Sequence, residues 1–114
     1  MVRALREARG DVHIAAVIAQ TFCGYRGPEA ARPSGNVVPQ ILDESLIDEH
    51  IPITLDATVA MCKRLASQGL FVGPSSGAFV HGALRLAASD RLGTIVTALS
   101  DTGERDPSTG TWRR

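Results

Sequence analysis

Apolar and polar positions alternate along the chain in blocks with two different periods. Residues 2–8 read as the end of a helix, with Gly10 as its stop. Residues 12–19 are apolar and β-branched at several positions, which predicts a buried strand. Residues 20–37 are rich in Gly, Pro, Ala and Arg and predict a long loop. A short helix over 39–45 and a short strand over 50–53 follow. The strongest periodic signal is a helix over 54–68. Leu55, Val59, Cys62 and Ala66 share one stripe, flanked by Met61 and Leu65, while Asp56, Lys63, Arg64 and Ser67 face away. Thr54 supplies an N-cap, Asp56 suits the positive helix end, and Gly69 ends the helix. A strand over 70–72, a helix over 76–89 and a strand over 94–99 complete the pattern. The second helix should turn Phe79, Val80, Ala83, Leu86 and Ala87 inward, with His81 and Arg85 on the other face. This order predicts an α/β fold: an open, mostly parallel sheet with flanking helices. No internal repeat interrupts it.

The candidate chemistry lies where the strand over 70–72 meets the helix over 76–89. The junction reads Gly73-Pro74-Ser75-Ser76-Gly77. Small residues let a ligand approach the backbone, and a helix N-terminus offers free N–H groups. Ser75 has two readings. It is either a helix N-cap, whose oxygen satisfies an orphan N–H, or a ligand contact. Ser76 is expected to serve the helix start.

Composition narrows the classes. A chain of 114 residues makes one domain or part of one. Hydrophobic content of 44% and a mean hydropathy of +0.04 fit a globular protein and not a disordered one. Twelve basic and twelve acidic residues cancel, so no basic excess points to nucleic acid. The charged start does not suit a signal peptide, and the apolar run 14–19 is too short to cross a membrane. A cytoplasmic location is the expectation. Cys23 and Cys62 are far apart and read as two free thiols or as a disulfide. His13, His50 and His81 have no ligand spacing, so no metal site is expected. The serine turn lacks the Lys-Ser/Thr of a phosphate-binding P-loop.

The residues also carry a resemblance. Gly69-Leu70-Phe71-Val72-Gly73-Pro74-Ser75-Ser76-Gly77-Ala78, followed by Leu84-Arg85-Leu86-Ala87, resembles the C-terminal part of the cysteine synthase family. Pro39-Gln40-Ile41-Leu42-Asp43 and Leu46-Ile47-Asp48-Glu49 precede it at family-like distance. Thr94-Ile95-Val96, Asp101-Thr102-Gly103-Glu104-Arg105, Ser108-Thr109-Gly110 and Trp112 follow it. The family are pyridoxal-phosphate (PLP) enzymes of the tryptophan synthase β-like fold, fold type II. The resemblance implies one partial domain over 1–114, matching the C-terminal third of such an enzyme. It implies that Ser75 hydrogen-bonds the pyridine nitrogen of the cofactor, and that Gly73, Ser76, Asp101 and Thr102 line the cofactor site. The implied reaction is β-replacement on an O-activated serine, with sulfide or another thiol adding to give cysteine or a relative. The implied partners are an amino-acid substrate, another copy of the chain, or a complementing N-terminal part.

Three departures from the family pattern stand out. Arg32-Pro33-Ser34 occupies the place of the family's flexible glycines, and Asp106-Pro107 that of a Tyr-Leu pair. The family's lysine, in a Ser-x-Lys setting, its phosphate loop and its substrate-carboxylate loop have no counterpart here. Lys63 is the only lysine, and it falls on the polar face of a helix. A truncated enzyme part and a non-catalytic remnant or interaction module therefore both remain open. A small α/β ligand-binding domain is a third reading. Cysteine synthase and cystathionine β-synthase, which shares the fold, are not separated by these residues.

Overall fold

The computed structural model describes residues 1–19, 43–89, 93–105 and 111–112. The element order is α1 (Val2–Ala8), β1 (Ala15–Ala19), β2 (Glu49–Ile53), α2 (Leu55–Ser67) and α3 (Pro74–Ala88), with 3-10 turns at Glu44–Leu46 and Gly103–Arg105. The strands β1 and β2 pair in parallel, Ala15 opposite Glu49 through Ala19 opposite Ile53. Ile51 and Ile53 point into the core, while His50 and Pro52 are exposed, as the two-residue strand period requires. This is a small parallel sheet with flanking helices, the class expected from the pattern.

Joining β1 to β2 at their start is Asp48. Its carboxylate accepts the Ile14 N–H at 2.7 Å, and its own N–H donates to the Ile14 carbonyl at 2.9 Å. The strand therefore begins at Ala15 and not at residue 12. Helix α1 buries no side chain and is tethered instead by Arg6, which pairs with Asp48 and donates to the Leu46 carbonyl at 3.3 Å.

Helix α2 starts and stops where local chemistry demands. Thr54 Oγ1 accepts the Ala57 N–H at 3.2 Å. Gly69 turns the chain away at φ +87°, a conformation that a side chain would strain. The buried face differs from the expected stripe. It comprises Thr58, Met61, Cys62 and Leu65, while Leu55 is 39% exposed. Contact with α3 sets this rotation. A Cβ built at Gly77 would overlap Cys62 Sγ and come within 3.0 Å of the Thr58 carbonyl, so the two helices meet through a glycine.

Helix α3 also buries small residues. Ser76, Gly77 and Gly82 are its buried positions, whereas Phe79, Val80, Ala83 and Leu86 are only half-buried and Ala87 is exposed. Gly82 lies on β1, where a Cβ would sit 2.8 Å from Val17 Cγ2. Close backbone approach, not side-chain hydropathy, chooses the inner face here. Met61, Leu65 and Val72 form a core cluster with Val80 packed on it.

Two expected strands do not form. In place of a strand over 70–72 there is one antiparallel bridge, Val72 to Thr102. Residues 94–99 make no ladder and are exposed, Val96 by 87%. An apolar run becomes a strand only beside another strand, and none of the described residues runs alongside it. Of the helix expected over 39–45, a 3-10 turn appears at Glu44–Leu46, capped by Asp43 through the Ser45 N–H at 3.1 Å. Residues 39–42, the loop over 20–37 with Arg32-Pro33-Ser34, and Asp106-Pro107 lie outside the described residues.

Candidate functional site

The site is built from two turns that the Val72–Thr102 bridge brings together. One is the start of α3. Gly73 is its N-cap and Pro74 its first residue, the position where proline's fixed φ suits a helix and its missing N–H costs nothing. The other is the segment Asp101-Thr102-Gly103. The Gly73 N–H donates to the Asp101 carbonyl at 3.0 Å, and the Gly103 N–H donates to the Phe71 carbonyl at 3.2 Å. The Asp101 carboxylate turns back onto its own chain and accepts the Thr102 N–H at 2.8 Å. Gly73 has to be small. A Cβ there would meet Asp101 Cβ at 3.1 Å and the Thr102 carbonyl at 3.4 Å.

The five expected site residues thus lie together, but with different roles. Ser75 is not the helix cap. It is the second residue of α3, exposed, and its hydroxyl makes no hydrogen bond within the described structure. Ser76 does more than serve the helix start. It is fully buried, and its hydroxyl bonds Asp101 of the facing turn. Thr102 is exposed beside it. An ion pair in the second turn joins Arg105 to Asp101 at 3.7 Å, and at the surface it contributes little.

Behind the first turn lies Cys62, a free thiol with no exposed surface. Its Sγ–H donates to the Gly73 carbonyl at 3.6 Å. Burial pushes its pKa up, so the sulfur stays protonated at neutral pH and serves as a donor to the turn, not as a nucleophile. Cys23 lies outside the described residues. Behind the second turn, Phe71 and Trp112 pack with ring centroids 4.6 Å apart at 48°. A Cβ at Gly103 would come within 2.8 Å of the Phe71 ring and 2.9 Å of Trp112. Pattern analysis missed both supports. A lone cysteine on a helix face reads as core, and a glycine carries no hydropathy to mark the aromatic pair it touches.

The remaining candidates lie elsewhere. Lys63 is exposed on α2, one residue on from Cys62 and so turned about 100° from the side that faces Gly73. His13 approaches Glu49 at 3.1 Å and His50 approaches Glu44 at 3.0 Å. No three metal-ligating side chains cluster among the described residues. A cleft of about 130 Å³ beside β2 and the end of α3 is lined by Glu49, His50, Ile51, Arg85, Leu86 and Ser89, and it includes no residue of the two turns. None of the described helices is long and apolar enough to cross a membrane.

Known proteins share the fold of the chain. The chain is 43% identical over 74 residues to cysteine synthase B of Campylobacter jejuni, covering 65% of this chain and 25% of that protein. It is 39% identical over 114 residues to O-ureido-L-serine synthase of Streptomyces lavendulae, covering 92% of this chain and 35% of the relative. A solved cysteine synthase from Entamoeba histolytica superposes on 99% of the chain with a TM-score of 0.82 at 26% identity, over 36% of its own length. No family model matches the chain. The fold is that of the PLP-dependent enzymes of fold type II. Within that class the chain's curated relatives are cysteine synthases and an O-ureido-L-serine synthase, and it is similar to a part of each. It spans between a quarter and about a third of the length of these relatives.

Proposed function

We propose that the chain supplies the ring-nitrogen end of a PLP site for β-replacement on an O-activated serine, as the C-terminal third of a cysteine synthase-like fold. One observation carries this reading: Ser75 presents an exposed, uncommitted hydroxyl at the second position of α3, beside a turn held against it at Asp101. The residues present fit this end of the cofactor. Gly73 keeps the approach narrow because it lacks a Cβ, and Ser75 is free to bond outward. When bound, the cofactor ring withdraws electrons from the substrate's α-carbon. The Ser75 hydroxyl, a weak acid, would donate a hydrogen bond to the ring nitrogen without protonating it. Gly73, Asp101 and Thr102 would help to hold the cofactor at this end.

The opposite end of the cofactor is a different matter. Lys63 does not suit the covalent role, because it is exposed on α2 about 100° round the helix from the side that faces Gly73. The proton-moving lysine and the phosphate contacts are therefore assigned to a complementing N-terminal part of the fold, in the same polypeptide or in a partner. Mixing the 114-residue chain with the part of a relative that lacks the matching third tests this. The pair should bind PLP and form cysteine from O-acetylserine and sulfide, whereas neither part should do so alone. Stable association with neither PLP binding nor turnover would make the chain an interaction module of the same fold.

A further inference from the structure

Ser76 is fully buried, yet the proposed reaction gives it no contact with cofactor or substrate. Its hydroxyl faces out of α3, toward the second turn. The Oγ–H donates to the Asp101 carbonyl at 3.4 Å, and the Asp101 N–H donates back to Oγ at 3.4 Å. The same carbonyl accepts the Gly73 N–H at 3.0 Å. Both main-chain groups of Asp101 are thereby held by the first turn of α3. A buried hydroxyl without partners is costly, and Ser76 meets that need across the gap between two segments 25 residues apart. Serine early in a helix ordinarily bonds its own backbone. Here it bonds another segment instead.

We propose that Ser76 is a positioning residue. It fixes the Asp101-Thr102 segment against the start of α3, so that this segment and the exposed Ser75 hydroxyl form one edge. The purpose of that edge rests on the cofactor reading above; the staple itself does not. Amide hydrogen exchange on the 114-residue chain tests it by comparing Ser76→Ala and Ser76→Cys with the parent. Both variants should speed exchange of the Asp101 N–H by about fivefold or more, the factor set by one neutral hydrogen bond. Gly73 should follow, while Val80 and Gly82 within α3 stay unchanged. Trp112, the sole tryptophan, abuts Gly103, so its emission should shift to the red in both variants. Cysteine has serine's shape with a larger, weakly hydrogen-bonding sulfur, so it keeps the site filled while weakening the bond, whereas alanine empties it. Unchanged Asp101 exchange in the alanine variant, full protection restored by cysteine, or an equal rise at Val80 and Gly82 would each overturn the proposal. These readouts need no cofactor. Failure of the PLP reading would appear separately, as loss of cofactor binding by the complemented pair with the exchange pattern intact.

Discussion

Gly77 on α3 lies against Cys62 on α2 with no room for a methyl group between them. The thiol fills the place a side chain would take and reaches the Gly73 carbonyl beyond it. Gly77→Ala should therefore destabilise the chain by about 1–3 kcal/mol through overpacking. Cys62→Ala should also destabilise, through lost burial and an unserved carbonyl. The double variant should recover stability relative to the sum of the two. A double-mutant cycle by urea unfolding reads this coupling, and strict additivity would show that the two residues do not press on one another.

Acid should loosen the junction between α1, β1 and β2. The Ile14 N–H bond holds the Asp48 carboxyl below its ordinary pKa, with Arg6 assisting against partial desolvation. A carboxylate with a lowered folded-state pKa contributes stability above its unfolded pKa, and that contribution is lost as pH falls through the folded value. The urea midpoint should therefore fall as pH drops from about 5 toward 3. Asp48→Asn should flatten that slope while leaving Asp43 and Asp11, also lowered, to account for what remains. An unchanged slope in the variant would remove Asp48 from this account.

Lys63 should not capture PLP. Borohydride reduction after incubation with PLP, followed by peptide mapping, should find no stoichiometric label at Lys63. Full labelling together with turnover of O-acetylserine would show that this helix face can approach the cofactor edge.

The chain alone should be marginally stable. A two-stranded sheet is seldom stable without further cover, and Leu70, Phe71, Ile95 and Leu99 are each at least 40% exposed. Concentration-dependent association or a broad melt is expected by sedimentation and calorimetry. A sharp, concentration-independent melt as a monomer would contradict this.

Local signals were legible in the sequence, and relations between distant segments were not. Thr54 caps α2 and Gly69 ends it as read, because both act within one turn of their own helix. The strands near 15–19 and 49–53 follow from their own apolar pattern. Hydropathy marked Met61, Cys62 and Leu65 on the inner side of α2 but not Thr58, and it did not mark the inner face of α3, because Gly77, Gly82 and Ser76 choose it by close approach. The runs over 70–72 and 94–99 have strand composition but no ladder. Position within a helix turn decided the serines. With α3 beginning at Pro74 and not at Ser76, Ser75 moves from cap to exposed face and Ser76 turns inward. Pro74, well suited to a first helical position, was the signal for that start. The residues that the family resemblance singles out lie together in the structure, but the resemblance did not show which serine faces outward.

The most direct measurement is a chimera in which this chain replaces the matching third of a complete cysteine synthase, carrying Ser, Ala or Asp at position 75. Melting, the visible absorbance of bound PLP and cysteine formation are read on each. Because Ser75 is exposed and is not a cap, Ser75→Ala should leave stability within about 0.5 kcal/mol. It should weaken PLP binding by about fivefold, one neutral hydrogen bond's worth. Ser75→Asp should fold equally well, since a carboxylate suits the first turn of a helix. It should nevertheless drive β-replacement well below the alanine variant, because a carboxylate favours a protonated ring nitrogen. Cofactor binding and turnover in which Ala and Asp both match the serine parent would contradict the assignment of Ser75 to the cofactor.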